Sequence, residues 1–396
     1  MSISVLVIGD IGNIFHTISK FSKSKIHVIN FVQDGMGEYT YAEGVETFSS
    51  YKVSEQVEKI NQIKDNYDIC ITMGTGERIA YLADLNYIPF YVGRDIDAPR
   101  FIKNSKEEWF DEPLHKLNFL ERRFYKNTFD NAIRHIAYGW VFEHLKKFTK
   151  NGIKMDMEPV DRELFNENIK PLEIEKSKFT FFSPQRMGKP KGTDLLWKAL
   201  EYCKTDFDIL QVEWFDESTD EELNIKKTLI DTKPKNVKFI PKIKRTDMAR
   251  YYNFSDAVIG NLRIGFHELV TCEAVLCKKP IIQYANPEFD VLVNKKEITV
   301  PFLPTSRDPK EIAKVIDKIV ESELFRNNLY QEELEYVEKI SDPKEVAKWW
   351  DEFLEGIADS HKGIRKNSSK MSIMFRSALF LIGNRLYFRK IMKIFN

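Results

Sequence analysis

Short apolar runs that end in glycine-bearing turns, each followed by a segment of helical spacing, constrain this chain more than any other feature. Residues 3–8 are apolar and end in Gly9-Asp10-Ile11-Gly12. A strand buried on both faces, followed by a tight turn, reads this way. A helix is expected over 16–23, a second strand over 26–31, and a helix over 53–66, where Val53, Val57, Ile60 and Ile63 share one face. Residues 67–72 form the next strand and turn through Met73-Gly74-Thr75-Gly76 into a helix over 77–85; another short strand covers 89–93. Strands that alternate with helices imply a parallel sheet with helices on both faces, because parallel strands need long crossovers. Residues 102–150 read as mostly helical, with a strand over 134–138.

At 396 residues the chain exceeds what one hydrophobic core usually holds, so two domains are expected. The first covers 1–168. A polar stretch with Pro171, residues 169–178, is the linker. A second strand–helix series fills 179–340, with strands over 179–183, 208–213, 237–240, 256–260 and 280–283, and helices over 193–203, 220–228, 246–252, 268–276 and 309–321. A helix over 341–358, rich in Trp349, Trp350 and Phe353, is expected to pack across both domains, and 359–396 is a basic amphipathic tail. The fold class is therefore α/β, with two doubly wound Rossmann-like domains facing across a cleft. Such sheets take ligands at the carboxyl ends of their strands.

Net charge is zero, but from Lys362 to Lys393 there are nine Lys or Arg and no Asp or Glu. The rest of the chain is correspondingly negative, which argues against nucleic-acid binding. Of the four cysteines, Cys70 reads as a small buried hydrophobe, and Cys272 and Cys277 lack the second pair of ligands a zinc site needs. No basic, apolar and small-residue leader precedes the first strand, so secretion is not expected.

The stretch Ser183–Ile282 carries most of the chemistry. Ser183-Pro-Gln-Arg-Met-Gly-Lys-Pro-Lys191-Gly192 reads as a phosphate-holding turn, or else as a solvated loop with ordinary basic residues. Arg186 can grip two phosphate oxygens with its fork, and Lys191 is a compact point charge. Gly265, before the helix at Glu268, lets backbone amides approach a diphosphate, with Arg263 in support; a glycine loop with no ligand is the other reading.

The order of these pieces resembles the retaining GT-B glycosyltransferases of family 4, the glycosyl transferases group 1. Pro159-Val160-Asp161 with Phe165 is similar to the turn that ends that family's first domain. Arg186 and Lys191-Gly192 are similar to its donor-phosphate residues, and Glu273-Ala274 followed by Lys279-Pro280-Ile281-Ile282 to its glutamate–alanine helix and next strand. The family pairs that glutamate with another eight positions earlier; here Gly265 stands there. The histidine many members carry in the first domain is also missing, and that region reads Tyr91-Val92-Gly93-Arg94-Asp95-Ile96-Asp97.

The resemblance implies transfer of a hexose, with retention, from a UDP- or GDP-linked sugar to a hydroxyl of a saccharide or lipid-linked acceptor. The donor is a substrate, so no cofactor is expected, and neither is a metal: Arg186 and Lys191 take its place. It assigns Glu273 to the ribose hydroxyls, with a surface glutamate on an amphipathic helix as the other reading; Gly265, His267 and Glu268, just before it, are the further donor-binding candidates, although His267 and Glu268 do not stand at the family's glutamate position. Asp95, with Asp97 at the same strand end, orients or deprotonates the acceptor, binds the transferred sugar, or caps the next turn. Gly9 and Gly12 form an acceptor-side turn, and His16 beside them is read as a helix-start residue rather than a base. A nucleotide-sugar epimerase of the same fold and a non-catalytic nucleotide-sugar-binding homologue are the competing readings.

In the tail, Arg376, Arg385, Arg389, Lys390 and Lys393 interrupt large apolar residues, and the unbroken run 377–383 is too short to span a bilayer. An in-plane helix on an anionic membrane surface is the expectation for 362–396, with a helix packed on the body as the other. A cytoplasmic protein, peripheral at the cytoplasmic face of the membrane, follows; a homo-oligomer is left open.

Overall fold

A computed structural model describes residues 2–31, 37–293, 296–360 and 363–384. The described residues fall into two compact units. Unit 1 takes its residues from 1–37, 41–155 and 347–396, and unit 2 from 38–40 and 156–346.

Unit 1 is built on seven parallel strands: β1 (Ser4–Ile8), β2 (Lys25–Asn30), β3 (Glu46–Thr47), β4 (Ile69–Thr72), β5 (Tyr87–Tyr91), β6 (His135–Tyr138) and β7 (Gly152–Met155). They lie in the order β3-β2-β1-β4-β5-β6-β7, so the chain reverses its direction of travel between β1 and β4. Val5 sits opposite both Ile26 and Ile69, which makes β1 central, and Val5 to Ile8 are fully buried. That is why this run shows no polar alternation. Leu6, Ile8, Cys70, Ile79 and Tyr87 share one core.

The expected helical region 102–150 is largely something else. Residues 101–118 are turns and irregular backbone, with Asn104 in a left-handed conformation and Pro113 in their midst. The helix starts only at Phe119. Asn118 accepts from the Glu121 amide at 3.0 Å, and the Glu121 carboxylate accepts from the Asn118 amide at 2.9 Å, a reciprocal cap that fixes the start.

The helix Pro343–Ser360 begins in unit 2 and joins unit 1 from Ala347 onward. Trp350 is fully buried there, with its ring centroid 4.7 Å from Phe15 and 5.5 Å from Phe90. At the next residue, the Asp351 carboxylate accepts the Lys23 amide at 2.8 Å and the hydroxyls of Ser22 and Ser24 at 2.6 and 2.8 Å. The helix Lys370–Asn384 packs against the Phe119–Asp130 helix: Phe380 lies 5.1 Å from Phe124, and Gly383 touches Glu121.

Unit 2 has five parallel strands, β8 (Phe179–Ser183), β9 (Phe207–Val212), β10 (Val237–Ile240), β11 (Ala257–Ile259) and β12 (Ile281–Ile282), in the order β10-β9-β8-β11-β12. Phe181, Phe207, Ile209 and Ile259 form its core with Ile312 and Ile316 of the helix Pro309–Glu321. The helix Glu323–Ile340 was not expected. Its buried residues, among them Leu329, Glu333, Tyr336 and Val337, are too sparse and too polar to mark an apolar face in sequence.

The boundary between the units differs from the expected one. Residues 156–168 belong to unit 2, because the Asp156 carboxylate accepts the Leu292 amide at 2.7 Å and the Glu158 amide donates to Ile340 at 3.0 Å.

Trp350→Ala leaves a large hole between Phe15 and Phe90 and is expected to cost about 3–5 kcal/mol of folding stability. Urea unfolding followed by circular dichroism measures this. An unchanged midpoint would show that the aromatic cluster is not what holds this helix to unit 1.

Candidate functional site

In unit 2, β8 and β11 are neighbours, with β9 and β10 on one side and β12 on the other. Ligands of open parallel sheets bind beyond the carboxyl ends of strands at such a switch point. A pocket lies there, lined among others by Ser183, Gln185, Arg186, Lys191, Gly192 and Gly260.

Gly192 makes the approach of its loop workable. Its φ is +74°, and a Cβ would lie 3.0 Å from Leu262 Cβ and 3.1 Å from the Leu262 carbonyl carbon. The loop is stitched there by the Leu262 amide donating to the Lys191 carbonyl at 3.2 Å. The amides of Lys191, Gly192 and Thr193 are used inside the turn, on Gly188 and Lys189 carbonyls. An anion in this pocket therefore meets side chains rather than a cradle of amides from these three residues.

The side chains converge on one carboxylate. Glu268 Oε1 lies 2.6 Å from Lys191 Nζ and accepts from Asn261 Nδ2 at 3.0 Å; Oε2 accepts from Gln185 Nε2 at 2.8 Å. Glu268 also caps the helix Leu269–Leu276, with its side chain accepting the Thr271 amide and the Thr271 hydroxyl accepting the Glu268 amide. The carboxylate thus stands where a helix N-terminus and a lysine both favour negative charge. Arg186 reaches Asp216 at 2.5 Å, with its guanidinium 6.0 Å from the Trp214 ring centroid.

Other residues of the expected site stand apart from this cluster. Arg263 pairs with Asp194 at 2.5 Å. Gly265 has φ +87°, and a Cβ there would fall 2.5 Å from Asn286 Cβ, so it is held by the chain beside it. His267 is buried, its Nδ1 2.7 Å from the Tyr336 hydroxyl. Glu273 is buried too: Tyr252 donates to it at 3.0 Å and Arg245 lies 2.8 Å away. Burial raises its carboxyl above the usual range, against the pull of Arg245 and Tyr252. In this structure its oxygens face Tyr252 and Arg245, and Glu268 is the acid beside Lys191.

Unit 1 has a second pocket, at the carboxyl ends of β4 and β5, lined by Gly74, Glu77, Tyr91, Asp95, Arg100 and Tyr125 with two phenylalanines. Asp95 is on the short helical turn Arg94–Asp97. Loss of solvent raises its carboxyl, against the attraction of Arg100. Glu77, which the Tyr91 hydroxyl reaches at 3.3 Å, is pushed up to about 8 by burial and then by the charge of Asp95. Asp97 points elsewhere, 3.1 Å from His144, and is raised to about 7 by burial and then by Glu107 and Glu108. Gly12 sits in a turn filled by the chain itself: Asp10 accepts the amides of Phe15 and His16 at 3.0 and 2.8 Å. His16 is a helix residue, as expected.

Sequence reasoning passed over Glu77, Arg100, Asn261 and Asp216. Glu77 had a signal, an acid directly after a strand and the turn Gly74-Thr75-Gly76. The others are read only once the loops are folded. Among the described residues no group of three His, Cys, Asp or Glu is arranged to hold a metal ion.

Residues 165–335 match the family described as Glycosyl transferases group 1. No curated protein matches the chain in sequence. Among solved structures, HepE of Anabaena, in complex with UDP and glucose, aligns over 89% of this chain and 100% of its own, at 16% identity and a TM-score of 0.61. Sucrose-phosphate synthase of Thermosynechococcus elongatus aligns over 90% of this chain and 99% of its own, at 14% identity and a TM-score of 0.62. WaaG, a glycosyltransferase involved in lipopolysaccharide biosynthesis, covers 89% of this chain and 100% of its own at 10% identity and a TM-score of 0.54. These likenesses give the fold: GT-B, with two Rossmann-like units.

Glu77 makes stability depend on pH with a definite sign. Its folded pKa is raised from an ordinary 4.5 to about 8, so the folded chain holds a proton that the unfolded chain releases. The stability is present below about 4.5 and lost as pH rises toward 8. Asp95 and Asp97 act in the same direction. Glu77→Gln is expected to flatten this decline in urea midpoint between those pH values; parallel pH profiles for variant and parent would refute the assignment.

Proposed function

We propose that this chain is a glycosyltransferase that takes its sugar from a nucleoside-diphosphate donor held in unit 2. The observation that carries the reading is the pocket between β8 and β11, where Arg186, Lys191 and Gln185 gather within a stretch that matches the glycosyl transferases group 1. The solved HepE complex with UDP and glucose supports a uridine donor without excluding GDP.

The chemistry follows from charge. As the glycosidic bond breaks, the leaving diphosphate gains negative charge, and cations placed there lower the barrier. Lys191 and Arg186 supply that charge once they exchange Glu268 and Asp216 for phosphate oxygens. Glu268, freed from Lys191 but still held by Gln185 and Asn261, accepts hydroxyls of the donor ribose or sugar. Glu273 acts one layer behind, fixing the Leu269–Leu276 helix through Tyr252 and Arg245. In unit 1, Asp95 and Glu77 with Arg100 receive the acceptor hydroxyl. Transfer of a hexose with retention, to a saccharide or a lipid-linked acceptor, is the finer form of the proposal, and it rests on the resemblance.

A panel of UDP- and GDP-sugars, offered with saccharide and lipid-extract acceptors, tests the activity. An epimerised nucleotide sugar as the product, or binding with no turnover, would contradict it. Lys191→Ala and Arg186→Ala are each expected to lower kcat/KM by roughly a hundredfold, about 3 kcal/mol of transition-state stabilisation, with the fold intact. Parental kinetics in both variants would remove the phosphate role.

A further inference from the structure

The helix Lys370–Asn384 has two apolar faces, and only one is used by the fold. Arg376, Leu379 and Gly383 point inward and are buried, with Phe380 packed beside them. Arg376 is the anchor: its guanidinium donates to the Tyr81 carbonyl at 2.6 Å and to Asp84 at 2.8 Å. Burial would raise the Asp84 carboxyl, but the bonds from Ser368 and Arg376 outweigh it and hold the carboxyl low, so this is a charged pair inside unit 1. The opposite face carries Met371, Met374, Phe375, Leu381 and Ile382, which are 80%, 72%, 54%, 58% and 37% exposed. Ala378 lies between them and is exposed as well. The spacing is i, i+3, i+4, i+7, i+10, i+11, one continuous stripe of an α-helix. A folded chain rarely leaves such a stripe to water without use.

We infer that this stripe is a docking face for an anionic phospholipid surface, with the helix lying in the plane of the headgroups. Charge selects the occupant. No acidic residue occurs between Lys362 and Lys393, while Lys370 stands exposed at the start of the helix. Directly after Asn384 the sequence continues with Arg385, Arg389, Lys390 and Lys393 among Leu386, Tyr387, Phe388, Ile391 and Met392. Residues 385–396 lie outside the described residues, and only their composition enters here. A bilayer meets both demands, taking the apolar side chains at its acyl boundary and the cations at its phosphates. A second copy of this chain would bring two all-basic segments together and repel. The helix is not a span: no described helix is long and apolar enough to cross a membrane. Of the tail's cations, Arg376 is taken by Asp84 in the interior, so it holds the helix on unit 1 rather than contacts lipid, and Arg365 pairs with Asp65 at the surface. The inference is independent of the transfer reaction.

Co-sedimentation of the intact chain with phosphatidylcholine vesicles, with and without phosphatidylglycerol, is the test. The chain is expected to pellet with the anionic vesicles and less so as salt rises. Met371→Ser/Met374→Ser/Phe375→Ser is expected to reduce that binding by about tenfold or more, with little change in the melting curve because all three residues are more than half exposed. Leu381→Ser/Ile382→Ser, further along the same stripe, provides a second variant with the same expected direction. An intact chain that stays in the supernatant overturns the inference, as do folded variants that pellet like the parent. So does a dimer in sedimentation equilibrium that the variants dissolve while no vesicle captures the chain, which would give the face to a second copy.

Discussion

Glu268 is the residue on which the side chains around the unit 2 pocket converge. Its carboxylate receives Lys191 from the loop after β8, Gln185 from the end of that strand and Asn261 from the loop after β11, and it caps the helix that follows. Two stretches distant in sequence, residues 185–191 and 261–271, thus meet on two oxygen atoms. The arrangement needs Gly192, because any larger residue would push the Lys191 loop off Leu262. The pocket carries its own anion, the Glu268 carboxylate. Under the proposed function, a diphosphate would trade one ion pair for another, with Lys191 already held at the pocket by Glu268.

Much of the architecture was legible because buried parallel strands leave a plain trace. Residues 5–8, 69–71 and 181–182 are apolar without a break, and they lie in the central or next-to-central strands of their sheets. Lys191 and Gly192 lie, where the turn was expected, between β8 and the next helix, and both line the pocket. The order of strands within each sheet, and therefore the switch points, came from the fold alone.

What stayed hidden was pairing at a distance. Arg376 looked like one more cation of a basic tail, yet its partner Asp84 stands 292 positions away. Glu268 and Glu273 are five positions apart on one helix, and nothing local tells which faces the pocket and which the core. The start of the helix decides it, since Glu268 is the cap and Glu273 falls on the side of Tyr252. The turn at Gly9–Gly12 was expected on the acceptor side; there Asp10 folds back on the helix amides of Phe15 and His16, a pairing no local pattern announces.

A crystal structure of the chain with whichever of UDP and GDP binds it more tightly is the most direct test of the central claim. The account predicts a diphosphate within hydrogen-bond distance of Lys191 and Arg186, with Lys191 turned away from Glu268. A nucleotide seated elsewhere, with the Lys191–Glu268 pair intact, would contradict it.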